Sequence, residues 1–392
     1  MEQAAHVLIG AYDPATAPGG LRGLLPLAGT PLIEHQARRA VAAGAQRVLL
    51  LVDVIPPELL EVLERLRADG IGTALVEGID RVAEALMPAD RLLLLSDACL
   101  PDEALLRETL AQPACTVAIL ADVPEHAMFE RIDADTRWAG LALVNGAHVA
   151  ETAAMLGSWD PISTLLRRAV QQDAGRLVAA HPPILATDPS SLADAERQMV
   201  AATRSLPGDW IGRALFLPLE EIFVPLLLAR RVEARPLALA AMAMALGGAG
   251  IAWAGWRWAA LLLLLLAGPM AAITRRLARV RDRRGPVLDA VAVVRPVAAT
   301  VAIAGLAYML WSIDRQWGWW VIAALVPAAM LLRLPGRSRP WLASGDGLIW
   351  TLLPFALAGQ WGWGLAASAA YSLASFLFVQ GDVLRRIAAD EA

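Results

Sequence analysis

The placement of apolar residues constrains this chain more than any other feature. Long apolar stretches at 237–255, 257–274, 287–311, 317–333, 346–359 and 361–380 crowd the C-terminal part, whereas residues 1–205 read as an ordinary globular sequence. A membrane-spanning helix needs roughly 20 apolar residues, within a range of about 17–25. The pattern therefore predicts a soluble domain followed by an all-α bundle of six transmembrane helices, the shorter ones relying on snorkelling flanks or a thin bilayer. Gly359-Gln360-Trp361-Gly362-Trp363-Gly364 breaks the last apolar region into a hairpin. A mean hydropathy of +0.51 is too high for a soluble protein and fits this division.

Arginine placement orients the bundle. The chain has no lysine, so all 34 basic residues are arginine, as in proteins from GC-rich genomes. Arg230, Arg231 and Arg235 precede the first span. Arg275, Arg276, Arg279, Arg281, Arg283 and Arg284 fall between the second and third, Arg333, Arg337 and Arg339 between the fourth and fifth, and Arg385 and Arg386 at the C-terminus. Segments of the other side hold only Arg257 and Arg315, and Trp256, Trp258, Trp317, Trp319, Trp320, Trp361 and Trp363 crowd those turns as an interfacial belt. The positive-inside rule then puts both termini and the soluble domain in the cytoplasm of a multi-pass bacterial inner-membrane protein. Residues 207–229, interrupted by Pro218, Glu220, Glu221 and Pro225, read as an interfacial amphipathic helix. The expected domains are 1–205, a linker helix 206–235, and the membrane domain 236–392.

Other functions lose support from composition. A net charge of -4 gives no basic footprint for a nucleic-acid partner. Cys99 and Cys115 lack CxxC spacing and read as buried free thiols. His6, His35, His126, His148 and His181 show no metal-ligand spacing, and no GxSxG, HExxH or Walker loop occurs. The first ten residues lack the pattern of a signal peptide.

In the soluble half, apolar strands at 6–12, 47–53, 73–77, 91–97, 115–122 and 138–146 alternate with helical patterns at about 31–43 and 56–69. Near-continuous apolar strands between amphipathic helices predict a mostly parallel sheet covered on both faces. Ligands of such sheets bind at the carboxyl ends of strands, which places the 13–24 loop and Asp97 on one rim. The segment LRGLLPLAGTPLIEHQ (21–36) carries a resemblance to sugar-phosphate nucleotidyltransferases of the glycosyltransferase-A-type fold. The resemblance covers about residues 5–200 and implies a nucleoside triphosphate with Mg2+ or Mn2+ near Asp97, with Arg22 as the phosphate contact. Where that family has a glycine-rich, cationic loop, this chain has Gly10-Ala11-Tyr12-Asp13-Pro14. Asp13 opposes phosphate, and Pro14 and Pro18 each remove an amide donor. The loop is therefore either a weakened nucleotide site or an inherited surface loop, and Asp97 either a metal or nucleotide ligand or a helix N-cap.

The bundle with its preceding interfacial helix resembles the CDP-alcohol phosphotransferases over about 206–385. Fusion to the first domain resembles the bifunctional enzymes of inositol-phosphate phosphodiester synthesis. The family pattern D-x2-D-G-x2-A-R-x8-9-G-x3-D-x3-D holds a divalent metal and a base. In AITRRLARVRDRRGPVLDAVAVV (272–294) it matches Ala278-Arg279, Gly285 and Asp289, while the other acids fall on Ala271, Thr274 and Val293 and the first glycine on Arg275. Arg279, Arg283 and Gly285 are candidates to hold a CDP diphosphate or lipid phosphate, or the arginine run is simply a topological anchor. Asp289 is either a residual metal ligand or the salt-bridge partner of Arg279, Arg283 or Arg295. The resemblance also implies a homodimer. Two readings follow: a degenerate homologue that binds nucleotide, CDP-alcohol, lipid or a partner enzyme, or an active transferase with a diverged site.

Overall fold

The computed structural model describes residues 4–12, 20–113, 115–155, 160–186, 189–204, 209–313 and 339–390. The chain forms two compact units, Met1–Ala201 and Ala202–Ala392.

The first unit is a three-layer α/β domain. Its strands are β1 (Ala5–Gly10), β2 (Pro26–Leu27), β3 (Thr30–Pro31), β4 (Arg47–Leu51), β5 (Gly72–Val76), β6 (Arg91–Leu95), β7 (Cys99–Leu100), β8 (Thr116–Ala121), β9 (Thr136–Asn145), β10 (Gly175–Val178) and β11 (Ile184–Leu185). Its helices are α1 (Leu32–Ala43), α2 (Pro57–Ala68), α3 (Ile79–Glu84), α4 (Glu103–Ala111), α5 (Gly146–Ala153), α6 (Pro161–Gln171) and α7 (Pro189–Ala202). Seven strands make the main sheet in the order β10-β8-β9-β6-β1-β4-β5. Pairing is parallel throughout except around β9, which runs antiparallel to both β6 and β8.

The period-2 geometry of a strand sends alternate side chains to opposite faces. Val7, Ile9, Val48, Leu50, Leu93 and Leu95 accordingly pack with Ile33 and Ala37 of α1, Val62 of α2 and Leu106 of α4. Leu8, Leu49, Leu92 and Leu94 join Ile79 of α3, Val149 of α5 and Leu165 of α6 on the other face. Burial on both faces is why these strands read as unbroken apolar runs. Arg38 of α1 binds Glu34 at 2.8 Å and Asp69 at 2.6 Å, and Arg65 of α2 reaches Glu34 at 3.0 Å. Arg38, Glu34 and Asp69 are buried with their charges paired, the condition on which buried ions are tolerated, while Arg65 closes the cluster from a half-buried position.

The second unit is helical. A π-helical turn (Gly212–Phe216) leads into α8 (Leu217–Ala229), followed by α9 (Ala234–Trp253), α10 (Arg257–Val280), α11 (Pro286–Ile313), α12 (Gly345–Leu357) and α13 (Trp361–Asp390). Among the described residues, four segments are long and apolar enough to cross a membrane: Ala234–Trp253, Arg257–Val280, Pro286–Ile313 and Trp361–Gly381. The expected span at 317–333 lies outside the described residues. The expected span at 346–359 is the 13-residue α12. At 1.5 Å per residue it reaches only about 20 Å, short of a bilayer core of roughly 30 Å. Gly359, with φ of 73°, turns the chain between α12 and α13 as expected of the hairpin.

Small residues let the helices approach closely. Gly248 of α9 lies against Leu264 of α10, where an added Cβ would come within 2.9 Å. Gly305 of α11 packs under the Trp253 ring, and a Cβ there would meet the ring at 2.7 Å. The core here is lined by Ala245, Ala252, Ala260, Ala267, Ala302 and Leu352.

Candidate functional site

The rim at the carboxyl ends of β1, β4 and β6 is the first candidate. The LPLAGTPL sequence folds into the β2–β3 hairpin, whose two-residue loop is Ala28 (φ 51°) and Gly29 (φ 78°). Two successive positive φ angles match the twist of a tight hairpin, which explains the glycine. His35 fastens the loop from below, with Nε2 2.7 Å from Thr30 Oγ1 and 3.0 Å from the Leu27 carbonyl. This histidine is wholly buried and structural.

The next residue of the same motif reaches the acid. Gln36, also wholly buried, donates Nε2–H to the Ser96 carbonyl at 3.1 Å and the Cys99 carbonyl at 2.7 Å, bracketing Asp97. Ala98 has φ of 50° and is packed with Leu27, Leu32 and Leu100, so the loop is bent and clamped just after Asp97. Asp97 Oδ2 accepts the Tyr12 backbone N–H at 3.1 Å. Its Oδ1 lies 3.6 Å from where a Cβ on Gly23 would sit, inside the 3-10 turn Arg22–Leu24. The structure thus brings the end of β1, the Arg22 turn and Asp97 together, as the sequence implied. Asp13, Pro14 and Pro18 lie outside the described residues. Asp97 does not cap the following helix; Asp102 does, accepting from Leu105 N at 2.7 Å. Gln36 was missed as a supporting residue, although it stands in the motif itself.

Cys99 offers no nucleophile. Full burial pushes its thiol up to about 12, and its Sγ is packed against Gly140, where a Cβ would come within 2.4 Å. Cys115, free and half-buried, is less enclosed than the sequence suggested.

In the second unit the residues aligned with the phosphotransferase pattern are arranged for packing. Ala271 and Thr274 are fully buried, and Thr274 donates its hydroxyl back to the Met270 carbonyl at 2.7 Å. Asp289 is exposed near the start of α11. Its expected salt bridge is absent among the described residues, because two of the named partners are committed elsewhere. Arg283 is buried and meets Glu233 at 3.5 Å, and Arg295 pairs with Asp346. Arg281 donates to the Val232 carbonyl. The arginine run is therefore divided: Arg281 and Arg283 hold the 232–233 turn, while Arg275 and Arg279 stay exposed. Gly285, with φ of 158°, opens α11, and a Cβ there would meet nothing within 4 Å. Among the described residues no three His, Cys, Asp or Glu side chains converge as a metal cluster. Asp289 alone does not fit the metal centre that the pattern implies.

A polar node deeper in this unit escaped the sequence reading. Arg295 of α11 pairs with Asp346 in the first turn of α12 and approaches the Gly268 carbonyl of α10 at 3.4 Å. A Cβ at Gly268 would sit 3.2 Å from Asp346 Oδ1 and 2.6 Å from Phe216, so the glycine makes the room. Ser344 caps α12 and donates to Asp209 Oδ2 at 2.5 Å. The non-helical segment before α12 is held by α13, with Ala343 N–H donating to Ser375 Oγ at 3.0 Å and Tyr371 donating to the Trp341 carbonyl at 2.9 Å. An acid within an apolar stretch is the signal that could have found Asp346.

No family model matches the chain, and no curated protein matches it. Among solved structures, the N-terminal half is similar to CMP:2-keto-3-deoxy-manno-octonic acid synthetase complexed with CTP. The identity is 17%, with a TM-score of 0.36 and coverage of 51% of this chain and 100% of that one. It is also similar to a nucleotidyl transferase from Methanothermobacter thermautotroptrophicus, at 17% identity and a TM-score of 0.38, covering 51% of this chain and 99% of that one.

Proposed function

We propose that this chain is a multi-pass bacterial inner-membrane protein of phosphodiester-lipid metabolism, with its first unit and C-terminus cytoplasmic. It is a catalytically degenerate homologue that binds nucleotide, CDP-alcohol or lipid as a scaffold or regulatory subunit, in a homodimer. One observation carries the reading: the bundle positions where the resemblance requires acids are occupied by a packed alanine and an inward-bonded threonine, Ala271 and Thr274. A phosphodiester-forming centre needs several carboxylates around its cations, and Asp289 stands alone and exposed.

The placement of Asp97 favours retained nucleotide binding in the first unit. Asp97 supplies one carboxylate, and magnesium held by one carboxylate completes its shell with water and phosphate oxygens. Such a site suits a cation that arrives with a nucleotide, with the Arg22 turn alongside.

The test incubates full-length protein in detergent with magnesium and each nucleoside triphosphate or CDP-alcohol, following products by mass spectrometry and binding by calorimetry. Binding without turnover is expected, with Asp97→Ala weakening the nucleotide. Turnover abolished by Asp289→Ala would replace this reading with an active phosphotransferase, and turnover abolished by Asp97→Ala with an active nucleotidyltransferase.

A further inference from the structure

The second unit gathers charge where α8, α10, α11 and the start of α12 converge. Arg275 lies in the electrostatic field of Arg295, Asp346, Arg279 and Glu220. Glu220 in turn faces Arg276, at 3.7 Å, as well as Arg279 and Arg275. Asp209 borders Asp346 and is held by Gly212 N–H at 3.2 Å and by the Ser344 hydroxyl. The guanidinium groups of Arg275, Arg276, Arg279 and Arg295 thus face the carboxylates of Asp209, Glu220 and Asp346. Arg276 is paired with Glu220, and Arg295 with Asp346.

Arg275 stands apart. Its side chain is exposed, and among the described residues it makes no hydrogen bond and no ion pair. Arg279, one turn further along the helix, adds a like charge at i+4, a spacing that repels. Two forked guanidinium groups on one helix face can together take the oxygens of a phosphate group. Five residues separate Arg275 from the end of α10, a depth of about 8 Å. That depth suits the phosphate of a membrane amphiphile better than a freely diffusing anion.

We infer that Arg275 and Arg279, backed by the Glu220–Arg276 and Arg295–Asp346 pairs, form a binding site for a phosphate group carried by an anionic lipid. The site is distinct from Gly285 and from Arg283, which is committed to Glu233. It deepens the lipid-binding part of the proposed function and rests on the chain being a membrane protein, but not on the loss of catalysis.

The test is thermal unfolding of full-length protein in a non-ionic detergent, titrated separately with phosphatidic acid, phosphatidylcholine, inorganic phosphate and CDP. Phosphatidic acid should raise the midpoint and phosphatidylcholine should not. Arg275→Gln should weaken the phosphatidic acid response at least about tenfold, the loss of one charge-assisted contact. Its midpoint without lipid should not fall, since a repelled cation has been removed. Arg275→Lys should recover part of the response, and Arg257→Gln, at the opposite end of α10, should leave it intact. An Arg275-dependent response to CDP or phosphate alone would keep the phosphate site and assign it a soluble ligand. An equal response of Arg275→Gln, or of phosphatidylcholine, would overturn the inference. Turnover of CDP-alcohol together with an Arg275-dependent lipid response would sink the degenerate reading and leave this site standing.

Discussion

Gln36 shows how a residue with no chemistry of its own fixes one that has it. Its carboxamide spans the two carbonyls on either side of Asp97, and it is supplied by the same helix whose first residues close the β2–β3 hairpin. The Ser96 carbonyl keeps the Cys99 N–H at 3.3 Å, but leaving the buried Cys99 carbonyl without its Gln36 donor costs about 1–3 kcal/mol. Gln36→Leu should therefore loosen the bend at Asp97–Ala98 and weaken any ligand held there while the sheet stays intact. Hydrogen exchange followed by mass spectrometry should show faster exchange in residues 96–100 and unchanged protection in β1 and β4. Unaltered exchange in 96–100 would show that the hydrophobic seat of Ala98 alone sets the loop. The motif was visible in the sequence, but not the division of labour within it. A glutamine beside a histidine carries no periodic signal, and what each side chain bonds depends on a loop some sixty residues later.

At the level of elements, the connection between β8 and β9 is a turn gathered around one carboxylate. Asp133 Oδ1 accepts the Thr136 hydroxyl and N–H, each at 2.8 Å, and the Asp135 N–H at 2.9 Å, while Oδ2 meets Arg176 of β10 at 2.7 Å. These donors, the Thr136 hydroxyl foremost, hold the Asp133 carboxyl down at about 2. A carboxylate depressed in the folded state stabilises it above its unfolded value of roughly 4, and the contribution fades as pH falls through the folded value. Exchange protection across 131–137 should thus persist from neutral pH to about 4 and fade towards 2. Asp133→Asn should be less protected at neutral pH and converge with the natural protein in strong acid; equal protection at neutral pH would contradict this. The β-α alternation was legible because strands buried on both faces are apolar throughout. The reversed direction of β9 was not, since burial is the same whichever way a strand runs. The shortness of α12 was legible as well, because the 346–359 stretch already falls short of a full span and the helix, Gly345–Leu357, keeps nearly the same bounds.

For the whole molecule, arginine placement makes the strongest global statement. In a background with Cys99 and Cys115 replaced by serine, Trp256→Cys should label with an impermeant maleimide from outside intact cells, and Arg284→Cys only after the inner membrane is opened. The reverse pattern would invert the proposed orientation. The seating of α12 has a consequence of its own. One end of this helix reaches Trp361, which meets Trp258 near the start of α10, and its other end reaches Gly268, ten residues along. Before α12 the chain runs through turns at 340–342 rather than helix, and its polar groups there are served by Ser375 and Tyr371, hydroxyls standing in for water. A rod of full length can straighten from its tilt to meet a thicker membrane; a truncated one has no tilt to give up. The protein should accordingly favour regions of thin bilayer, and draw short-chain lipids around this flank.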